Sequence, residues 1–336
     1  MSIFTLLRLL WKELLRRLLL WKEEEAEMEE EGGEEAAKVE SIFIYPIKSC
    51  RSISPPEASI TSTGFRWDRQ WLVVNSSGRG ATQRVDPKLA LVQVELPPEA
   101  FSHGWKARKD SFLEVRAPAM NVLKVPLLEP STLTDGVGLW GWTGAALDEG
   151  EEAAEWFTKF LGQPRRLVRF HEASQNRPAV PKYAAGHKLK FQDAYALLLA
   201  SQESLDALNE RLEEPVQITR FRPNIVVNGC TSYAEDLWKK VKINGLKFNS
   251  TQLCERCKVP RINQETAELG SEPTQTMRKF RSTENLNPDK KPDGKVYFGH
   301  WFVCDDHNAK AKSKTIKVGD PVYVLKKLSS YEDVVF

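Results

Sequence analysis

The chain has 336 residues, room for two ordinary domains, and is 41% hydrophobic, 28% charged and 10% aromatic, which excludes a disordered chain, a collagen-like fibre and a polytopic membrane protein. Five cysteines, an odd number, make no disulfide framework and point to a reducing compartment. The net charge of +2 is uneven: residues 1–22 carry five bases against Glu13, residues 23–40 carry ten Glu against Lys38, and the remaining body is seven positive, which suits an anionic small ligand or an acidic protein partner and is too weak for nucleic acid.

In residues 1–22, Arg8, Lys12 and Arg16 recur every four residues, while Leu7, Leu10, Leu14, Leu18 and Trp21 hold the opposite side. This predicts an amphipathic basic helix suited to lying in a membrane interface, or packed on the body. It lacks the ~18–20 uninterrupted apolar residues of a spanning helix and the small-residue cleavage site of a secretory signal. Mitochondrial targeting fits its basic start but not its scarcity of Ser. The Glu run from Glu23 to Glu35, broken by Gly32-Gly33, reads as a solvated linker, so residues 1–38 form a unit apart from the body.

From Val39 short β-prone runs bounded by turn residues follow one another: VESIFIYPIKS, RQWLVVN, ALVQVEL, FLEVRAP, NVLKVPLLE, VKINGLKFN, KVYFGHWFV and TIKVGDPVYVL. Asn75-Ser76-Ser77-Gly78 and Asn244-Gly245 read as hairpin connections. Two helices interrupt them. Residues 150–161 place Ala153, Trp156, Phe157 and Phe160 on one face and stop at Gly162, and residues 202–213 align Leu205, Leu208 and Leu212 behind a Ser201 N-cap. With no β-α-β alternation, the pattern predicts an α+β, mainly β architecture of barrels or sandwiches with a few helices, in two units, 39–165 and 170–336, joined near residues 163–180.

Cys254-Glu255-Arg256-Cys257 is the sharpest local motif. It is open to four readings: a redox dithiol, which lacks a thioredoxin-like context; half of a zinc site completed by Cys304-x-x-His307; a single metal-binding thiolate at Cys257, flanked by Arg256 and Lys258; or two buried small hydrophobes. Gly136-Val137-Gly138-Leu139-Trp140-Gly141 matches a dinucleotide fingerprint, but its context favours a tight turn between strands. Three further segments set cations among turn residues: Tyr45-Pro46-Ile47-Lys48-Ser49-Cys50, Arg66-Trp67-Asp68-Arg69 and Phe221-Arg222-Pro223-Asn224. An anion pocket needs such groups: Arg as a fork for phosphate oxygens, Lys as a point charge, Asn to read a heterocycle edge.

YPIKSC, DRQWLVV, FRPNIVV, YAEDLW, CERCKVP and TIKVGDPVYVL, in this order from about Val39 to Leu325, resemble MOSC-domain molybdenum enzymes, most closely the mitochondrial amidoxime-reducing components in a plant-type version. The resemblance implies a MOSC β-barrel domain behind an N-terminal β-rich MOSC domain, together enclosing a molybdenum cofactor (Mo-molybdopterin). It implies Cys257 as the molybdenum ligand and catalytic centre, with Lys48, Ser49, Arg69, Arg222, Asn224, Glu255 and Arg256 binding the cofactor. The loop Asp193-Ala194-Tyr195-Ala196 would add backbone contacts only. The implied activity is reduction of N-hydroxylated compounds (amidoximes, hydroxylamines) to amines, with electrons from cytochrome b5 and NADH-cytochrome b5 reductase. The implied place is the mitochondrial outer membrane surface, with a cytosolic membrane surface as alternative. A carrier of the cofactor or of sulfur, without reductase turnover, is the other function open to such a chain.

Overall fold

The computed structural model describes Arg17, residues 33–305 and residues 314–336. The helix expected over residues 1–22, the linker up to Gly32 and the zinc candidate His307 lie outside the described residues, Arg17 apart.

Seven strands close into a barrel. Around it run Glu34–Ile42, Ile225–Asn228, Leu197–Ser201, Tyr297–Cys304, Leu246–Glu255, Trp238–Ile243 and Pro321–Lys327, the last pairing with the first. Leu197–Ser201 and Ile225–Asn228 run parallel, and the other neighbours are antiparallel. Asn244 and Gly245 take φ of +48° and +77°, the left-handed pair of a two-residue hairpin, and set the register Ile243 opposite Leu246. The first strand begins inside what the sequence read as linker. Glu34, Glu35 and Lys38 face solvent while Ala37, Val39 and Ile42 are buried, so the acids sit on the wet side of a half-buried strand.

The intervening chain builds a second β-rich body. A four-stranded antiparallel sheet runs in the order Trp71–Asn75, Arg165–Phe170, Trp142–Asp148, Leu133–Leu139, and a three-stranded sheet joins Gln93–Glu95, Phe112–Arg116 and Leu123–Pro126. The first sheet draws its Arg165–Phe170 strand from the segment read as a join between units. Helix Glu151–Leu161 packs on that strand, burying Ala153, Trp156, Phe157 and Leu161, and ends at Gly162 with φ +75°. Helix Gln202–Asn209 is shorter than expected. Its Ser201 hydroxyl accepts from the Ser204 N–H at 3.1 Å, and the Asn209 side chain bonds Val216 N–H and C=O to close the following loop. The mainly β, α+β class read from the sequence is the class observed. Strand Thr315–Lys317, late in the chain, pairs with Glu57–Thr61 and ties the two bodies together.

Candidate functional site

A cleft of about 310 Å³ lies where residues 48–84, the tip of the Leu133–Leu139/Trp142–Asp148 hairpin, the 193–198 loop and the end of strand Leu246–Glu255 converge. Its first wall begins where the chain leaves strand Glu34–Ile42. The Tyr45 N–H donates to the Asp68 carboxylate at 3.0 Å, and the Arg69 N–H donates to the Tyr45 carbonyl at 2.7 Å, so the Tyr45-to-Cys50 and Arg66-to-Arg69 turns are locked together. Asp68, fully buried, also accepts from Arg69 Nη1 at 2.7 Å and from Asn224 Nδ2 at 3.1 Å. The buried Tyr45 ring lies between two guanidinium groups, Arg69 at 4.3 Å and Arg222 at 4.2 Å. Ser49, Arg69, Trp140 and Arg222 have φ of +70°, +47°, +55° and +58°. Left-handed backbone at non-glycine residues is uncommon, and four such residues line this one cleft.

The second wall is the end of strand Leu246–Glu255. Buried Cys254 accepts from Arg256 Nη1 at 2.8 Å, and Arg256 Nη2 donates to the Phe221 carbonyl at 2.7 Å. Burial pushes the Cys254 thiol up to about 11, against the pull of Arg256. The guanidinium expected beside Cys257 is thus turned toward its neighbour two residues back. Cys257 itself is free, partly exposed and on the cleft surface. Glu255 lines the cleft and pairs with Lys295 at 3.2 Å. The zinc reading has no geometric basis. Cys304 stands opposite Phe248, six residues along the strand from Cys254, or roughly 20 Å at strand rise, and the described residues hold no cluster of metal-binding side chains.

Lys48 is 4% exposed, and its ammonium donates to the Phe191 carbonyl at 2.8 Å and to Asp193 Oδ1 at 2.6 Å. Burial brings it down to about 8, with Asp193 opposing. Against partial desolvation, which would raise it, Lys48, Arg69 and Arg84 hold the half-exposed Asp193 carboxyl well below its ordinary range. Burial also lowers the Arg222 guanidinium. Arg222 Nη2 and Arg256 Nε are buried with no hydrogen-bond partner. Buried donors left unpaired in a cation-rich cleft are groups that a bound anion would satisfy.

Of the residues singled out from the sequence, Lys48, Ser49, Arg69, Arg222, Glu255, Arg256 and Cys257 line this single cleft. Asn224 stands behind it: its Oδ1 accepts from Arg69 Nη1 at 3.1 Å, which orients the cation without facing the cavity. The 193–196 loop does more than expected, because the Asp193 side chain joins the cleft. The sequence reading passed over Arg84 and Trp140. Trp140 sits in the fingerprint-like glycine stretch, which forms a hairpin with Leu139 paired to Trp142. A tryptophan at a turn tip was the available signal.

A closed barrel and a β-rich partner sharing a cationic, thiol-bearing cleft are the architecture of a two-part MOSC protein. Residues 36–164 match the MOSC N-terminal beta barrel domain and residues 186–323 the MOSC domain. The chain is 33% identical over 304 residues to mitochondrial amidoxime-reducing component 1 of Homo sapiens, covering 87% of this chain and 84% of that protein. It is 32% identical over 303 residues to mitochondrial amidoxime reducing component 2 of Bos taurus, covering 86% and 84%. With the molybdenum cofactor sulfurase of Oryza sativa subsp. japonica it shares 28% identity over 311 residues, 85% of this chain and 35% of that one. The chain belongs to the family of the mitochondrial amidoxime-reducing components.

Proposed function

We propose that this protein is a molybdenum cofactor-dependent reductase of N-hydroxylated compounds, converting amidoximes and hydroxylamines to amidines and amines. Two electrons and two protons enter for each N–O bond cleaved, and water leaves. The carrying observation is a partly exposed Cys257 thiol facing a cleft whose guanidinium groups keep unpaired buried donors, in a chain akin to amidoxime-reducing components.

The cleft fits a phosphate-bearing pterin. Its volume is that of a small cofactor site, and Arg222 Nη2 and Arg256 Nε each lack an acceptor that phosphate or pterin oxygens would provide. Lys48, Ser49, Arg69 and Arg222 would hold phosphate and pterin, Asn224 would fix Arg69, and Glu255 and Arg256 would flank the molybdenum ligand Cys257. When bound, the cofactor would supply the two-electron chemistry. The protein's part is burial, charge and orientation: Asp68 and Tyr45 hold two arginines in place before the ligand arrives, so little ordering remains at binding.

The electron donors we assign are cytochrome b5 and NADH-cytochrome b5 reductase, for the basic body would attract an acidic heme protein. The place we assign is the mitochondrial outer membrane surface. The sulfurase relative supports a second reading, carriage of the cofactor or of sulfur without turnover. Metal analysis of the purified protein, followed by benzamidoxime turnover with both donors, decides. Bound molybdenum with turnover is the expected result; bound molybdenum without turnover favours the carrier, and a protein that binds no molybdenum is neither.

A further inference from the structure

Arg84 and Trp140 belong to the cleft but not to the set that would hold the cofactor. Lys48, Ser49 and Arg69 are buried, whereas Trp140 is 48% exposed and Asp193, to which its indole N–H donates at 3.1 Å, has a side chain 52% exposed. These two mark the solvent rim. The Arg84 guanidinium lies 4.4 Å from the centre of the Trp140 ring. Among the described residues it makes no hydrogen bond and no ion pair, whereas the guanidinium groups of Arg69 and Arg256 both donate to protein acceptors. The cation–π contact steadies the guanidinium over the indole while leaving its N–H groups without protein acceptors, and a planar carboxylate matches such a fork with two parallel bonds. The nearby Asp193 carboxylate does not cancel this charge, because Lys48 already pairs with it at 2.6 Å. The Trp140 ring carries Arg84 at 4.4 Å and Lys48 Nζ at 5.7 Å from its centre, and the exposed remainder of the half-exposed indole is the aromatic surface left beside the fork for a flat ligand.

We propose that Arg84, held on Trp140, is a specificity-determining residue that selects flat aromatic N-hydroxylated substrates bearing a carboxylate, an inference that rests on the reductase reading above. The carboxylate pairs with the Arg84 fork and the arene lies against Trp140, leaving the N–O group toward Cys257. The test compares 4-carboxybenzamidoxime with benzamidoxime on one enzyme preparation, so that cofactor occupancy cancels from the ratio of their kcat/KM values. In the native protein the ratio should favour the carboxylated substrate by about tenfold or more. In Arg84→Gln it should fall to near one, and Arg84→Lys should restore part of it. Calorimetry on the same proteins should show tighter binding of 4-carboxybenzamidine than of benzamidine, a difference lost in Arg84→Gln. An unchanged ratio in Arg84→Gln overturns the inference, as does a fall in bound molybdopterin with the ratio kept, which would make Arg84 a cofactor contact. Should the native protein turn over neither substrate, the reductase reading fails, and the calorimetric difference alone decides the carboxylate site.

Discussion

Lys48 is held between burial, which disfavours its charge, and Asp193, which favours it, and the balance leaves it near 8 rather than 10.5. The sign follows from which state binds the proton more tightly. Between about 8 and 10.5 the unfolded chain keeps a proton that the folded chain has lost, so stability from this group rises with pH across that window. Anion binding runs the other way, because above pH 8 the ammonium that would meet a phosphate becomes neutral. Retention of bound molybdopterin on dialysis should therefore fall between pH 7 and pH 9 in the native protein, and Lys48→Met should retain it poorly at both. Retention that is flat with pH in the native protein would show that Lys48 does not face the anion. The two cysteines of the C-x-x-C motif separate in the same local way. Cys254 is buried, its thiol near 11 and occupied by Arg256, whereas Cys257 reaches the cleft. Cys257→Ala should abolish turnover and bound molybdenum while the far-UV circular dichroism stays native, with a Tm equal to that of the cofactor-free native protein. Cys254→Ala should keep most of the turnover and lose about 1 kcal/mol of stability from the Arg256 contact. Equal loss of activity in both would return the motif to a dithiol. The cations and Cys257 were legible because each sits in a short segment of distinctive composition. Asp68, Arg84, Trp140 and Asp193 were less so, since each acts by converging with residues far off in the sequence, as Trp140 does on Asp193, fifty-three positions away.

At the scale of elements, strands rich in β-branched and aromatic residues could be read directly, whether alternating like Phe112–Arg116 or buried throughout like Tyr297–Cys304, and so could the two longest helices, from one apolar stripe each. The Leu133–Leu139 strand was not read, because only Val137 and Leu139 in it are buried and its glycines dilute the pattern. The start of the barrel was missed for the opposite reason: Glu34, Glu35 and Lys38 dominate the composition while only Ala37 turns inward. That correction has a consequence for truncation. Glu34, Glu35, Ala37 and Lys38 pair with Val324, Tyr323, Val322 and Pro321 and complete the seam of the barrel. A chain beginning at Gly33 should fold with the stability of the full chain. One beginning at Val39 should lose about 2–4 kcal/mol, counting ~1 kcal/mol for each of a few backbone hydrogen bonds, and should expose the edge of Pro321–Lys327 to self-association. Urea unfolding of the two shortened chains measures the difference, and equal midpoints would show that the seam holds without those residues.

On the scale of the whole molecule, the barrel and the β-rich body share one cationic cleft, and no helix among the described residues is long and apolar enough to cross a membrane. Attachment, on the reading proposed here, falls to residues 1–22. As a helix they would be about 33 Å long at 1.5 Å per residue. Spanning would set Arg8, Lys12, Arg16 and Arg17 inside the bilayer at ~2.5–3.5 kcal/mol for each one near its centre, whereas lying flat leaves them among the headgroups and buries Leu and Trp. The Glu-rich stretch behind them is repelled by anionic lipid and would hold the body clear of the surface, leaving the cleft open to an electron donor. The full chain should therefore bind vesicles containing phosphatidylserine at low salt and release them as the Debye length shrinks toward 3 Å near 1 M salt. The chain beginning at Gly33 should not bind, yet should reduce benzamidoxime at the full rate with soluble donors. Vesicle binding that survives removal of residues 1–32 would place the membrane contact on the remaining chain instead, where five surplus positive charges offer the next surface to probe.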